Sequence, residues 1–174
     1  RPSIGSGGLD EEERFVDQQR LVVIGLGYVG LPLVVEACRA GFLCTGLDVS
    51  ERVIGLLNDG RSHVDDISDE TVAECRAAGF RATSDAACLA DADIAVICVP
   101  TPLDEHSTPA LSAVQGATDS IAAHLHPGML VVLESTTYPG TTDGLVRDTL
   151  EATGLVAGVD FDLAFSPERI DPGN

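Results

Sequence analysis

Leu21-Val22-Val23-Ile24-Gly25-Leu26-Gly27-Tyr28-Val29-Gly30 is the stretch that decides the fold. Its first four residues form a short, continuous apolar run ending at a glycine, the pattern of a strand buried on both faces. The glycines then follow at the spacing G-x-G-x-x-G. From Tyr28 to Ala40 apolar residues recur at helical spacing, with Pro32 in the first turn and Gly41 where a helix would stop. A bare G-x-G-x-x-G also occurs in ordinary strand-to-helix turns. A strand before it and a helix after it give it the context of a phosphate-binding loop.

Each glycine has a physical task in such a loop. Gly25 permits the tight turn. The missing Cβ of Gly27 lets a pyrophosphate approach the backbone. Gly30 allows the helix to pack closely on the strand. The helix start then offers unpaired N–H groups and the positive end of its dipole to the phosphates, with Tyr28 and Val29 beside them. A dinucleotide site also calls for an acid about 20 residues further on, at the end of the second strand. Asp48 ends Phe42-Leu43-Cys44-Thr45-Gly46-Leu47-Asp48. Its carboxylate can accept both adenosine ribose hydroxyls and would repel a 2′-phosphate, so the expected cofactor is NAD rather than NADP.

The rest of the chain repeats the strand–helix alternation. Ser50 caps a predicted helix to about Asn58, with Gly60 as its stop, and residues 61–68 read as a loop. A helix is expected over 69–78, a strand over 80–83 and a helical turn capped by Ser84 to Leu89. Residues 93–99 read as a buried strand, followed by a Pro-rich loop over 100–109. A helix over 112–124, a strand over 129–134, a helix over 140–153 and a strand over 161–165 complete the pattern. Residues 1–19 read as a flexible leader, and 20–174 as a single α/β domain: a Rossmann-type, doubly wound, mostly parallel sheet.

Composition agrees and narrows the partners. The 174 residues carry 28 acidic and 10 basic side chains, a formal charge of −18, and every basic residue is arginine. So acidic a chain repels nucleic acid and anionic membranes. No apolar run approaches the ~20 residues of a membrane span, and the N-terminus lacks the apolar core of a signal peptide. The five cysteines, at 38, 44, 75, 88 and 98, show no metal-ligand or disulfide spacing, and their odd number fits a reducing cytoplasm. Cys38, Cys44 and Cys98 fall in apolar runs and read as small buried side chains. His63, in Ser62-His63-Val64-Asp65-Asp66, is sequential with its acids and reads as part of a solvated loop rather than a metal site. His124 and His126 read as capping or surface groups. His106, in the Pro-rich loop, is a candidate for a minor role toward substrate. The first residue is Arg and the last four, Asp171-Pro172-Gly173-Asn174, resemble a loop, so a piece of a longer protein is expected.

Four segments carry a closer resemblance. Gly25-Leu26-Gly27-Tyr28-Val29-Gly30-Leu31-Pro32, Cys98-Val99-Pro100-Thr101-Pro102, Glu134-Ser135-Thr136-Thr137-Tyr138-Pro139-Gly140-Thr141-Thr142 and Phe165-Ser166-Pro167-Glu168-Arg169 resemble, in this order, the UDP-glucose/GDP-mannose dehydrogenase family of nucleotide-sugar 6-dehydrogenases. The ending through Ile170-Asp171-Pro172-Gly173-Asn174 is most similar to the branch acting on UDP-N-acetylhexosamines.

The resemblance implies that a UDP-sugar, UDP-N-acetylglucosamine or UDP-N-acetylmannosamine, is oxidised at its C6 alcohol to the uronate with two NAD+. It implies a role in polysaccharide biosynthesis and a homodimer formed through a helix beyond residue 174. In the family a cysteine thiolate, also beyond residue 174, holds the intermediate aldehyde between the two oxidations. Val99, Pro100 and Thr101 after one strand, Ser135 and Thr136 after another, and Glu168 after the last would share one sheet edge with the glycine loop. Thr136 matches the family's active-site threonine, holding water or the substrate alkoxide. By spacing alone Thr137 is its alternative, and a helix cap is another use for the hydroxyl. Glu168 matches the catalytic glutamate that orients or deprotonates the hydrolytic water, unless it merely pairs with Arg169.

Two departures stand out. Some relatives carry a basic residue near position 53, here Val53 beside Arg52. UDP-glucose-type relatives carry a second acid four residues past the glutamate, here Pro172. None of the five cysteines has the context of the nucleophile, so the chain by itself is expected to bind NAD without turning over a nucleotide sugar. The competing readings are a hydroxyacid-type Rossmann dehydrogenase and a non-catalytic NAD-binding protein.

Overall fold

The computed structural model describes residues 18–101, 111–135 and 141–166. Six strands are present among them: β1 (Arg20–Ile24), β2 (Leu43–Leu47), β3 (Arg81–Thr83), β4 (Ile94–Ile97), β5 (Leu130–Leu133) and β6 (Asp162–Phe165). They form one sheet in the order β3-β2-β1-β4-β5-β6, and every neighbouring pair is parallel. The helices are α1 (Gly30–Arg39), α2 (Glu51–Asn58), α3 (Asp69–Ala77), α4 (Ser112–Ala122) and α5 (Arg147–Glu151). This is the doubly wound arrangement that the strand–helix alternation predicts. Its order reverses between β1 and β4, where such sheets open a crevice at the carboxyl ends of the strands.

Alternation along β1 builds two cores. Leu21 and Val23 face one side and pack with Leu31, Val34 and Val35 of α1 and Val72 of α3. Val22 and Ile24 face the other side and pack with Val114 and Ile121 of α4 and Leu150 of α5. Both faces of the central strand are therefore covered, which is why its sequence is an unbroken apolar run rather than an alternating one. Local signals place the helices as expected. Ser50 Oγ accepts from Val53 N at 3.4 Å and caps α2, and Ser68 Oγ accepts from Thr71 N at 3.2 Å and caps α3.

The structure corrects several local expectations. Helix α1 starts at Gly30, not Tyr28, because Tyr28 and Val29 are used in turning the chain out of the glycine loop. The turn Ala86–Leu89 is 3₁₀ and is capped by Asp85, not Ser84: Asp85 Oδ1 accepts from Ala87 N at 2.9 Å. The helix before β6 opens with a π-helical turn, Thr142–Val146, before α5 proper. Cys44 and Cys98 are buried as expected, Cys38 is only half-buried, and Cys75, which the apolar runs do not flag, is buried.

That 3₁₀ turn is the only helical cover between β3 and β4. As a result, the β2–β3 face opposite α2 and α3 is left as a hollow of about 800 Å3 lined by Leu43, Thr45, Arg81 and Thr83. It lies away from the glycine loop. No described helix is long and apolar enough to cross a membrane, and no group of His, Cys, Asp or Glu among the described residues is arranged to hold a metal.

Candidate cofactor site

The glycine loop leaves β1 at the crevice between β1 and β4. Gly25 N donates to Leu47 O at 2.8 Å, and Cys98 N donates to Ile24 O at 2.8 Å, so the ends of β2, β1 and β4 are laced together beneath the loop. Gly25 has φ +91, and a Cβ there would lie 2.8 Å from Cys98 O, so both conformation and space require glycine. A Cβ on Gly30 would overlap the Gly25 carbonyl. Gly30 therefore lets α1 begin directly on top of the turn. Around Gly27 a Cβ would meet nothing within 4 Å. That open side is the space a pyrophosphate needs next to bare backbone.

Asp48 is the second fixed point. Its Oδ2 accepts from Leu26 N at 2.8 Å and its Oδ1 accepts from Ser50 N at 2.8 Å. An ionised carboxylate offers about four lone-pair sites. Two are engaged here, which leaves each oxygen one further acceptor direction for ribose hydroxyls. The acid thus has a structural task as well as the binding task expected of it.

A cleft of about 600 Å3 runs from the loop toward α4, with Gly25, Leu26, Gly27 and Asp48 on one side and Ala113, Gly116 and Ser120 on the other. Val99 and Pro100 line it from the end of β4. Val49, 98% exposed, stands at its rim and offers an uncovered apolar face next to Asp48. Tyr28, 53% exposed, projects from the loop toward solvent. Small residues on α4 make room for a flat ring, and sequence reasoning missed that wall. Its signal was the run of small residues Ser112, Ala113, Gly116 and Ala117 on one helical face.

Ser135 sits at the end of β5 and is buried. Its Oγ donates to Val99 O at 2.9 Å, with Ile97 O also near at 3.3 Å. The hydroxyl is thereby turned onto protein carbonyls and fastens the loop that carries Val99 and Pro100. Glu134 N donates to Ile97 O at 2.9 Å and Ser166 N to Leu133 O at 3.0 Å, so the ends of β4, β5 and β6 stay in line along the same edge. Thr101 lies at the end of the described segment after β4. Thr136, Glu168, His106 and the segments 102–110, 136–140 and 167–174 lie outside the described residues.

His63 departs from its sequence reading. It is half-buried rather than solvated, and its Nε2 lies 2.7 Å from the Leu26 carbonyl oxygen. The loop reading was right in outline, but the ring packs under the glycine loop from 37 residues away.

Fold, glycine loop, open Gly27 side and Asp48 together define a dinucleotide-binding Rossmann domain. Residues 19–174 match the NAD binding domain of the UDP-glucose/GDP-mannose dehydrogenase family, and the chain belongs to that family. It is 36% identical, over 88% of its length, to a UDP-N-acetyl-D-mannosamine dehydrogenase of Pyrococcus horikoshii. It is 37% identical, over 89% of its length, to a UDP-N-acetyl-D-glucosamine 6-dehydrogenase of Pseudomonas aeruginosa. The solved structure of UDP-D-ManNAc dehydrogenase from Pyrococcus horikoshii superposes with a TM-score of 0.83 at 37% identity, covering 89% of this chain and 37% of that one. The chain spans 37% and 36% of the two curated relatives. The part it matches is that family's NAD binding domain.

Proposed function

We propose that the chain serves an enzyme that oxidises the C6 alcohol of a UDP-N-acetylhexosamine to the uronate in two steps, each with one NAD+. The observation that carries this reading is the identity of 36% and 37% to relatives named for UDP-N-acetyl-D-mannosamine and UDP-N-acetyl-D-glucosamine. Bound NAD+ supplies the hydride acceptor. The residues of this chain bind and orient. The open backbone at Gly27 takes the pyrophosphate, Asp48 accepts from the adenosine ribose, and the cleft between Val49 and α4 receives the adenine ring. Val99, whose carbonyl Ser135 holds, and Pro100 and Thr101 after it border the nicotinamide end.

Thr136 and Glu168 are assigned to the reacting end by motif: Thr136 steadies water or alkoxide, and Glu168 orients the hydrolytic water. The nucleophilic cysteine is assigned to sequence beyond residue 174. A homodimer in the cytoplasm, supplying uronates for polysaccharide, completes the proposal.

Steady-state assay of the full-length enzyme tests it. Two NADH formed per UDP-N-acetylglucosamine or UDP-N-acetylmannosamine, with UDP-glucose turned over far more slowly, is the expected result. A preference for UDP-glucose or for a simple hydroxyacid overturns the reading. The 174-residue chain alone is expected to bind NADH and to produce none from either sugar nucleotide.

A further inference from the structure

Leu26, the middle residue between Gly25 and Gly27, is held by two side chains from two different elements. Its N–H donates to Asp48 Oδ2 at 2.8 Å, from the end of β2. Its carbonyl faces His63 Nε2 at 2.7 Å, from the loop before α3. A carbonyl oxygen only accepts, so Nε2 carries the hydrogen and the neutral ring is the Nε2–H tautomer. Its Nδ1 is buried without a partner among the described residues. An orphaned ring nitrogen is unfavourable, so the ring's place beneath the loop is held by its surroundings and by what Nε2 does.

The segment that carries the ring is anchored on both sides. Ser62 N donates to Asp69 Oδ1 at 2.7 Å, Ser62 Oγ donates to Val64 O at 3.0 Å, and the Val64 side chain is buried in the core. These bonds fix His63 against the start of α3. The ring therefore acts as a strut between α3 and the glycine loop.

In a planar trans peptide the carbonyl and the next N–H point in opposite directions. Holding the Leu26 carbonyl toward His63 turns the Gly27 N–H away from it. Gly27 lines the cleft, and its Cα has open space beside it. We propose that His63 is a positioning residue for the cofactor's pyrophosphate: its Nε2–H locks the Leu26–Gly27 peptide in the orientation that presents the Gly27 backbone to the phosphates. This rests on the reading of the glycine loop as the pyrophosphate site. A search by motif would pass over it, because His63 does not line the cleft and belongs to no glycine-loop pattern.

The test compares His63→Leu, which keeps bulk but removes the donor, with His63→Gln, whose carboxamide N–H reaches as far as Nε2. NADH and ADP-ribose binding are measured by nicotinamide fluorescence and by competition, and adenosine, which lacks the phosphates, serves as the second competitor. His63→Leu is expected to bind NADH and ADP-ribose about tenfold more weakly, the scale of one lost hydrogen bond to a held peptide, and adenosine with unchanged affinity. His63→Gln is expected to restore the NADH affinity. Equal NADH affinity in the wild type and His63→Leu overturns the proposal, as does a loss shared by adenosine or one that His63→Gln fails to recover. If His63→Leu does not fold, His63→Asn carries the comparison. Its shorter side chain falls short of the carbonyl, so it must lose affinity while His63→Gln keeps it, and equal affinities of the two overturn the proposal. A wild-type chain that binds adenosine but not ADP-ribose refutes the pyrophosphate reading itself, a result distinct from the others.

Discussion

Asp48 Oδ2 accepts the Leu26 N–H at 2.8 Å, tying the acid at the end of β2 to the loop at the end of β1. The same carboxylate holds Ser50 N through Oδ1, so it organises the start of α2 as well. Replacing Asp48 by Ala leaves two backbone donors without their acceptor. A loss of about 1–3 kcal/mol in stability is expected, together with NADH affinity, measured by chemical denaturation and by fluorescence titration. Asp48→Asn keeps an oxygen acceptor and removes the charge. It is expected to lose less stability and to narrow the preference for NADH over NADPH, since a carboxylate no longer faces the 2′-phosphate.

Gly27 and Gly30 separate binding from folding. A Cβ at Gly27 meets nothing, so Gly27→Val is expected to melt within a few degrees of the wild type and to lose NADH binding, because the branched side chain fills the phosphate's space. A Cβ at Gly30 overlaps the Gly25 carbonyl, which is backbone and cannot step aside. Gly30→Ala is expected to lose about 1–3 kcal/mol, typical of overpacking, along with binding. Calorimetry and titration of the pair check both. A Gly27→Val variant with wild-type affinity would refute the cradle.

Cys75 sets an alkaline limit. Burial, and then the neighbouring Cys38 thiol, push the Cys75 thiol up from 9.0 to about 12. Folded chains hold this proton after unfolded chains release theirs, so the unfolded state binds fewer protons between those values. Stability from this group is complete below pH 9 and is lost as pH rises toward 12. Cys38 and Cys88 are raised too, while the hydrogen bond from Cys38 lowers Cys44 and opposes them. Denaturation midpoints across pH 8–11 are expected to fall with pH, and less steeply in Cys75→Ala.

The charge of −18 is not neutralised locally. Three ion pairs, Arg20–Asp91, Arg39–Glu36 and Arg61–Asp59, are all exposed. Raising NaCl from 0.01 M to 0.15 M shortens the screening length from about 30 Å to about 8 Å. The melting temperature is expected to rise by about 2–4 °C for each kcal/mol of repulsion removed. Isomolar sucrose-corrected melts measure this, and a melting temperature that falls with salt contradicts it.

Much of this fold is written locally. Leu21 to Ile24 is apolar without interruption because both faces of β1 are covered, and Asp48 is legible because a fixed chain distance separates it from Gly25. His63 was not legible, since its partner is set by how the loop before α3 returns across the sheet, and no period records that. Ser135 was legible as a residue at a strand end on the glycine-loop edge, but the direction of its hydroxyl depends on where β4 ends. Tyr28 and Val29 continue the apolar spacing of α1, so periodicity placed the helix two residues early. Ser84 and Asp85 are both good caps side by side, and only the backbone direction chooses Asp85.

The strand order has a consequence for how the chain is made. Leu21 of β1 pairs with Cys44 of β2 and with Ile94 of β4. During synthesis β2 and β3 emerge soon after β1, whereas the other side of β1 waits for the ribosome to deliver Ile94–Ile97. Through that interval the apolar run of β1 is a temporary border with a row of unpaired amides and carbonyls, the template on which neighbouring chains stick. Of the strand pairs, β1 with β4 joins residues furthest apart in the chain, the kind of contact that closes slowly, and it lies at the sheet's centre beside the glycine loop.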